Sequence, residues 1–231
     1  MTTYPITLSL ELSHRTGSIA MMNDNGDVEC RNVDIGKREE DDIFPSMEKL
    51  SRALSITPRH MELVVVSSGP GGFTGLRTST SIAKMIALAS GAKLVSVESA
   101  IVIASQAALG DGPFLVISSV KRDHFWLSTV QNKDGGWTCE SNNASVDTLK
   151  SSVDGILAVF ADEFIPDSAK SILSQHHIPL HRSNPDAETL LKIGLNLYTK
   201  GICIEPEQLS PIYSREPEAV RMWQERHSPP T

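Results

Sequence analysis

The residues best suited to do chemistry in this chain lie between Ser68 and Lys84. The run Ser68-Gly69-Pro70-Gly71-Gly72-Phe73-Thr74-Gly75-Leu76-Arg77 follows an apolar, β-branched stretch, Leu63-Val64-Val65-Val66, and precedes a segment of helical spacing. A glycine-rich turn from strand to helix exposes backbone N–H groups beside the positive end of a helix, which suits an anion. The run lacks the Gly-Lys-Ser/Thr ending of a P-loop and is not a dinucleotide fingerprint, so a tight turn without a ligand explains it as well. Two other groupings carry reactive side chains. Glu11, Ser13 and His14 supply an acid, a hydroxyl and an imidazole, but neighbours in sequence are not expected to build a Ser-His-acid constellation, which is defined in space. His176, His177 and His181 have no carboxylate or cysteine at a fitting spacing and read as solvated or structural histidines. Cys30, Cys139 and Cys203 are far apart and in no CxxC pair, against both a disulfide framework and structural zinc.

These residues need elements to hold them. Alternation and turn chemistry predict strands over 6–10, 17–22 and 28–33, with a turn at Asn23-Asp24-Asn25-Gly26. Ile43, Met47, Leu50 and Leu54 recur at helical spacing after Glu39-Glu40-Asp41-Asp42, whose charge suits a helix start; Pro45 fits the first turn. The apolar run over 62–67 predicts a strand buried on both faces. Helices over 74–89 and 98–108 flank a strand over 93–97. After Gly110-Asp111-Gly112-Pro113 the pattern restarts. Strands are expected over 114–118, 124–131 and 137–140, with a turn at Gly135-Gly136; Phe125, Trp126 and Trp137 are core or surface-strand residues. A helix over 146–151, a strand over 155–160, a helix over 167–174 and a strand over 178–181 follow. An amphipathic helix over 188–200 leads into a proline-rich, irregular tail. A meander followed by alternating strands and helices thus occurs twice, which predicts two lobes of related topology.

Within the helix over 74–89, Thr80, Ala83, Ala87 and Ser90 form a stripe of small residues, with Leu76, Ile82 and Ile86 beside it. Small residues at that spacing admit a second helix at close range, either within the domain or from a partner. The 231 residues carry a formal net charge of −7, 40% hydrophobic and 21% charged residues, as expected of a soluble globular protein with a real core. Such a chain does not attract a polyanion by itself, because phosphate binding relies on Lys and Arg releasing counterions. No stretch nears the ~18 apolar residues of a membrane span and no signal-like start is present, so a cytoplasmic protein without membrane contact is expected.

The string GPGGFTGLRTSTSIAKMIA, from Gly69 to Ala87, closely resembles the GPGSFTGLR…AKGLA signature of the TsaB (YeaZ) family. Looser similarities follow in order along most of the chain. Leu8 to Ser13 resembles the family's strand ending in Asp-Thr-Ser, and Lys93 to Ser99 the strand before its Ser-Leu helix. Val120 to Trp126 resembles its A-R-x-x-E-V-Y strand, and Pro211-Ile212-Tyr213-Ser214-Arg215 its terminal P-x-Y-x-R. The resemblance implies an α/β chain of the ASKHA (actin-like ATPase) fold: two RNase H-like lobes, each a mixed β-sheet with flanking helices. Residues 1–103 would form the first lobe, completed by 188–231, and 104–187 a smaller second lobe. It further implies a non-catalytic scaffold with no cofactor and no metal. Such a scaffold pairs with a TsaD-like catalytic subunit, and the pair recruits a TsaE-like ATPase. The assembly threonylcarbamoylates the adenosine next to the anticodon in tRNAs reading ANN codons. tRNA would be met only through that complex, and a homodimer would form in isolation. The implied partner surface comprises Ile43, Met47, Leu50 and Leu54 on one helix and Thr74, Leu76, Arg77, Thr80, Ala83, Lys84 and Ala87 on the next. Ala83→Glu would then break the complex and spare the fold.

Several positions depart from the family and its catalytic relatives. Where those relatives carry a metal-binding H-x-E-G-H, this chain has Ser99, Ala100, Ile101, Val102 and Ile103, with no imidazole or carboxylate. Gly135-Gly136, the glycine pair of the second lobe, reads as a hairpin turn and not as a nucleotide loop. The family's Asp-Thr-Ser is Glu11-Leu12-Ser13, its H-S-E is Glu40-Asp41-Asp42, and its Asp before A-R is Ser119. Leu12 removes a hydroxyl that could face phosphate. The alternative function, an ASKHA-type ATPase or a glycoprotease-like metallopeptidase, would require bound nucleotide or metal.

Overall fold

The computed structural model describes residues 3–35, 42–107, 109–121, 124–214, 222, 223 and 227. Glu39, Glu40, Asp41 and Arg215 lie outside these. At the Asn23 turn, the Asn23 side chain accepts from the amides of Asn25 and Asp27 at 3.1 and 2.9 Å, and Gly26 takes φ +88°. This fixes the hairpin register of β2 (Thr16–Met22) with β3 (Val28–Asp34), after β1 (Thr7–Glu11). Helix α1 (Ile43–Leu54), strand β4 (Leu63–Gly69), helix α2 (Phe73–Ser90) and strand β5 (Lys93–Glu98) follow. The strands form one sheet in the order β3-β2-β1-β4-β5, antiparallel across the meander and parallel from β1 to β5.

Helix α3 (Ser99–Ser105) leads to β6 (Phe114–Lys121), β7 (His124–Lys133), β8 (Gly136–Ser145), α4 (Val146–Ser152), β9 (Ala158–Ala161), α5 (Asp167–Gln175) and β10 (Leu180–Arg182). This second sheet has the order β10-β9-β6-β7-β8. Read from its meander, 8-7-6-9-10 repeats the 3-2-1-4-5 of the first sheet, with the same parallel and antiparallel neighbours. The expected pair of mixed sheets with flanking helices is what the chain forms.

Period-2 alternation in β1 and β4 explains the layers. Leu8, Leu10, Leu12, Val64 and Val66 face the core covered by α1 and α2. Leu63 and Val65 face the opposite side, with Val95, Val97, Val102 of α3 and Leu190 of the last helix, α6 (Ala187–Thr199). Strand β4 is therefore buried on both faces, as its unbroken apolar run requires. Gly194 of α6 sits directly on Val65, where a Cβ would collide with the valine side chain. Past α6 the chain returns to the first sheet. Ile204 bridges to Leu94, Leu209 is buried in the core under α1 and α2, and the Ile212 amide donates to the Ser68 carbonyl at 2.7 Å.

Some element bounds differ from expectation. Helix α3 ends at Ser105. Strand β8 runs on to Ser145, because it pairs with β7 along its whole length. Its solvent-facing half, Glu140 to Asn143, is polar and carries no apolar alternation. Strand β9 starts at Ala158, after Gly155 turns with φ +75°.

Candidate functional site

The parallel strands β1, β4 and β5 end together, and the glycine-rich loop closes over them. A Cβ on Gly71 would overlap the Ser13 carbonyl, and one on Gly75 the Leu12 carbonyl. Glycine at these two positions lets the end of β1 touch the loop and the first turn of α2. At Gly69, with φ +99°, a Cβ would stand 2.6 Å from the Ile212 carbonyl oxygen of the tail. Some of the loop's polar groups have partners within the chain. The Gly72 amide donates to the Ser13 carbonyl at 2.7 Å, and the Ser99 hydroxyl donates to the Pro70 carbonyl at 3.2 Å. Ser67 and Ser99 share a hydrogen bond of 3.0 Å. The Leu12, Ser13 and Ile212 carbonyls come directly against the glycines of the loop, so glycine there makes room for the chain's own backbone.

Beneath the loop lies a buried polar chain. Glu11 Oε1 accepts from the Ser13 amide at 2.9 Å and the Ser13 hydroxyl at 2.5 Å. Ser13 Oγ lies 2.9 Å from His14 Nδ1, and His14 Nε2 lies 3.4 Å from the Ser183 hydroxyl. The three neighbours are hydrogen-bonded to one another at the end of β1. Their order is nevertheless wrong for a nucleophile: Ser13 donates its proton to Glu11, so the histidine is not its base. Ser13 and Glu11 are also closed off from solvent. Burial raises the Glu11 pKa above its usual value, with the Ser13 donors and the Ser67 hydroxyl opposing and Asp186 adding to the rise. Burial lowers that of His14, with Asp162 opposing. Arg15 stands over the Phe164 ring at 4.9 Å, a further contact from the β1–β2 turn to the loop after β9.

Leu12 points into the apolar core, not toward a ligand site. Ser99, Ala100, Val102 and Ile103, at the positions of the catalytic relatives' metal motif, are core residues. His176, His177 and His181 are exposed, and His181 stacks on Phe160 at 5.4 Å. No three His, Cys, Asp or Glu cluster with metal-binding geometry among the described residues. Gly135 and Gly136 form the β7–β8 turn, with Asp134 and Gly135 at positive φ. That turn borders a cleft of about 710 Å³ between the two sheets, lined also by Glu98, Trp137 and Lys192.

The residues expected at a partner surface divide in two. Ile43, Met47, Leu50, Leu54, Leu76, Thr80, Ala83 and Ala87 are buried in the chain's own core. The small-residue stripe serves close packing of α2 on its own sheet. A glutamate at Ala83 would thus be buried without a partner and would break the fold, not test a contact. Thr74 and Arg77 are exposed and Lys84 is half-buried. The sequence pattern missed three exposed apolar side chains on α1 and α2: Phe44 (54% exposed), Met85 (58%) and Leu88 (70%). A groove of about 650 Å³ between the helices is lined by Phe44, Met47, Ile82, Met85 and Ile86. A signal was present. Helix α2 holds more large apolar residues than one buried stripe can use, and Met85 and Leu88 fall outside the stripe of Leu76, Ala83 and Ala87.

Comparison with known proteins gives the following. The family described as "TsaD: tRNA N6-adenosine threonylcarbamoyltransferase" matches residues 36–140. The chain is 22% identical over 224 residues to the "tRNA threonylcarbamoyladenosine biosynthesis protein TsaB" of Escherichia coli (strain K12), covering 90% of this chain and 94% of that protein. It is 23% identical over 128 residues to the protein of the same name from Bacillus subtilis (strain 168), covering 55% of this chain and 56% of that one. That second match spans about half of the relative's length. YeaZ from Pseudomonas aeruginosa superposes with a TM-score of 0.72 at 18% identity, over 91% of this chain and 100% of that chain. A crystal structure described as an uncharacterized protein with similarity to peptidase YEAZ, also from Pseudomonas aeruginosa, gives 0.73 at 18%, over 92% and 100%. The glycine-loop signature at Gly69 to Ala87 and the doubled sheet topology thus occur in a chain that is similar to TsaB proteins in sequence and to YeaZ in fold.

Proposed function

We propose that this chain is the non-catalytic docking subunit of a tRNA threonylcarbamoyladenosine-forming assembly, and that it binds a TsaD-like catalytic partner through the outer face of α1 and α2. The observation that carries this is the exposed apolar edge Phe44, Met85 and Leu88 beside the α1–α2 groove. Apolar side chains of this size, contiguous and solvent-facing on two neighbouring helices, mark an interaction surface. Thr74, Arg77 and Lys84 border it, and the buried residues of both helices hold its shape. The names of the Escherichia coli and Bacillus subtilis relatives supply the pathway, and the TsaD description over 36–140 supports a catalytic relative with a similar first lobe. The net charge of −7 favours tRNA being held by the partner. A TsaE-like ATPase joins the assembled pair, and in isolation the same face pairs two copies of this chain.

The test is Met85→Glu combined with Leu88→Glu. Both side chains face solvent, so unfolding should match the unsubstituted protein. Burying each at an interface is worth ~1.5–3 kcal/mol, so titration calorimetry against the TsaD-like protein should weaken at least ~100-fold. Unchanged affinity would remove this face from the reading.

A further inference from the structure

The second turn of α2 carries a guanidinium that its surroundings hold still. The Arg77 carbon Cζ lies 3.7 Å from the centroid of the Phe73 ring. Tyr213, from the tail, packs on that same ring at 4.8 Å and 35°. Arg77 Nε donates to the Tyr213 hydroxyl at 3.2 Å. Tyr213 is held in turn by the neighbouring Ile212 amide on Ser68, and Gly69 makes room for the Ile212 carbonyl. The stack and one hydrogen bond fix the plane of the guanidinium, and its two terminal amino groups remain available. Among the described residues no carboxylate pairs with it. The side chain is exposed on the helix row that continues through Ser81 to Met85 and Leu88. By helix rise the fork stands ~12 Å from Met85 along that row.

We propose that Arg77 is a preset fork for a carboxylate of the docked partner, and that the C-terminal tail, through Tyr213, is part of the docking surface. This rests on the docking face proposed above. The planar fork matches a carboxylate in bidentate fashion, whereas an ammonium would not. Ordering an arginine on binding normally costs affinity; stacking on Phe73 and the bond to Tyr213 meet that cost before the partner arrives. The partner's element therefore presents an Asp or Glu opposite Arg77 and apolar side chains opposite Met85 and Leu88, about two and three turns further along α2. Tyr213 is a positioning residue: it acts through Arg77.

The test uses the full chain and the TsaD-like protein of the same organism, titrated at several salt concentrations. Arg77→Gln should weaken binding ~10–100-fold, the range for losing a charge-assisted pair, and flatten the salt dependence. Arg77→Lys should restore the salt dependence but not the affinity. Tyr213→Phe keeps the ring and loses the hydroxyl, and should cost ~3–5-fold with the salt dependence retained. Thermal unfolding of each variant should match the parent. If Met85→Glu abolishes binding while Arg77→Gln keeps the parent affinity and salt slope, the fork is refuted and the docking face stands. If Met85→Glu itself binds normally, both fall.

Discussion

Gly75→Ala separates local propensity from tertiary packing, because the two predict opposite signs. Gly75 lies in the first turns of α2, and alanine is favoured over glycine within a helix by about 1 kcal/mol. Judged locally, the substitution stabilises. In the fold, a Cβ at Gly75 overlaps the Leu12 carbonyl oxygen. It also stands 3.1 Å from the Leu12 carbonyl carbon and 3.2 Å from Ile35 Cδ1, where ordinary contact begins at 3.4 Å. The obstacle is backbone at the end of a buried strand, so no side-chain rotation relieves it. Helix α2 must lift from β1, which loosens Ile82 and Ala83 in the core. Overpacking of this kind costs ~1–3 kcal/mol and occasionally more; with a backbone clash near the upper end, the net loss after the propensity gain is about 2 kcal/mol. For a chain of this size that lowers Tm by roughly 4–8 °C. Gly72→Ala is the internal control. Its φ is −63° and its nearest neighbour would be 3.6 Å away, so it should stay within ~0.5 kcal/mol. Urea unfolding with tryptophan fluorescence measures both. A Gly75→Ala protein as stable as its parent would mean that α2 does not sit on Leu12 as described.

The buried polar chain makes two pH predictions of opposite sign. His14 is kept neutral by burial, so its contribution is present above its unfolded value near 6.5 and fades as pH falls through it; acidification from pH 7.5 to 5.5 should lower Tm, and His14→Gln should flatten that drop. Glu11, with its folded pKa raised above 4.5, favours folding most below 4.5 and loses that contribution as pH rises through the raised value. Glu11→Gln should therefore gain stability relative to the parent at pH 8 and not at pH 4. Leu12→Thr introduces the hydroxyl of the resembling Asp-Thr-Ser motif, but in the core; it should cost ~2–4 kcal/mol in urea unfolding and give no ATP heat in calorimetry.

Much of this protein was legible in the order of its residues. The double pattern of meander, helix and strand follows from periodicities of 2 and 3.6 with glycine and asparagine turns between them, and these are local properties. Ile43, Met47, Leu50 and Leu54 announce α1 and Leu63 to Val66 a doubly buried strand, because burial is written in spacing. The GPGGFTGLR string carried the resemblance to TsaB proteins. The site was less legible, because spacing on one helix says which residues share a face and not what lies opposite. Thr80, Ala83 and Ala87 look the same whether they meet a partner helix or their own sheet; only the sheet's position assigned them to the core and left Phe44, Met85 and Leu88 outside. The glycines of the loop could have framed an anion. The close approach of the Leu12 and Ser13 carbonyls, from a strand about sixty residues earlier, decided that they admit backbone instead. Contacts between distant segments, such as Tyr213 with Arg77 and His14 with Ser183, depend on how the lobes and tail return to one place. No local pattern encodes that return.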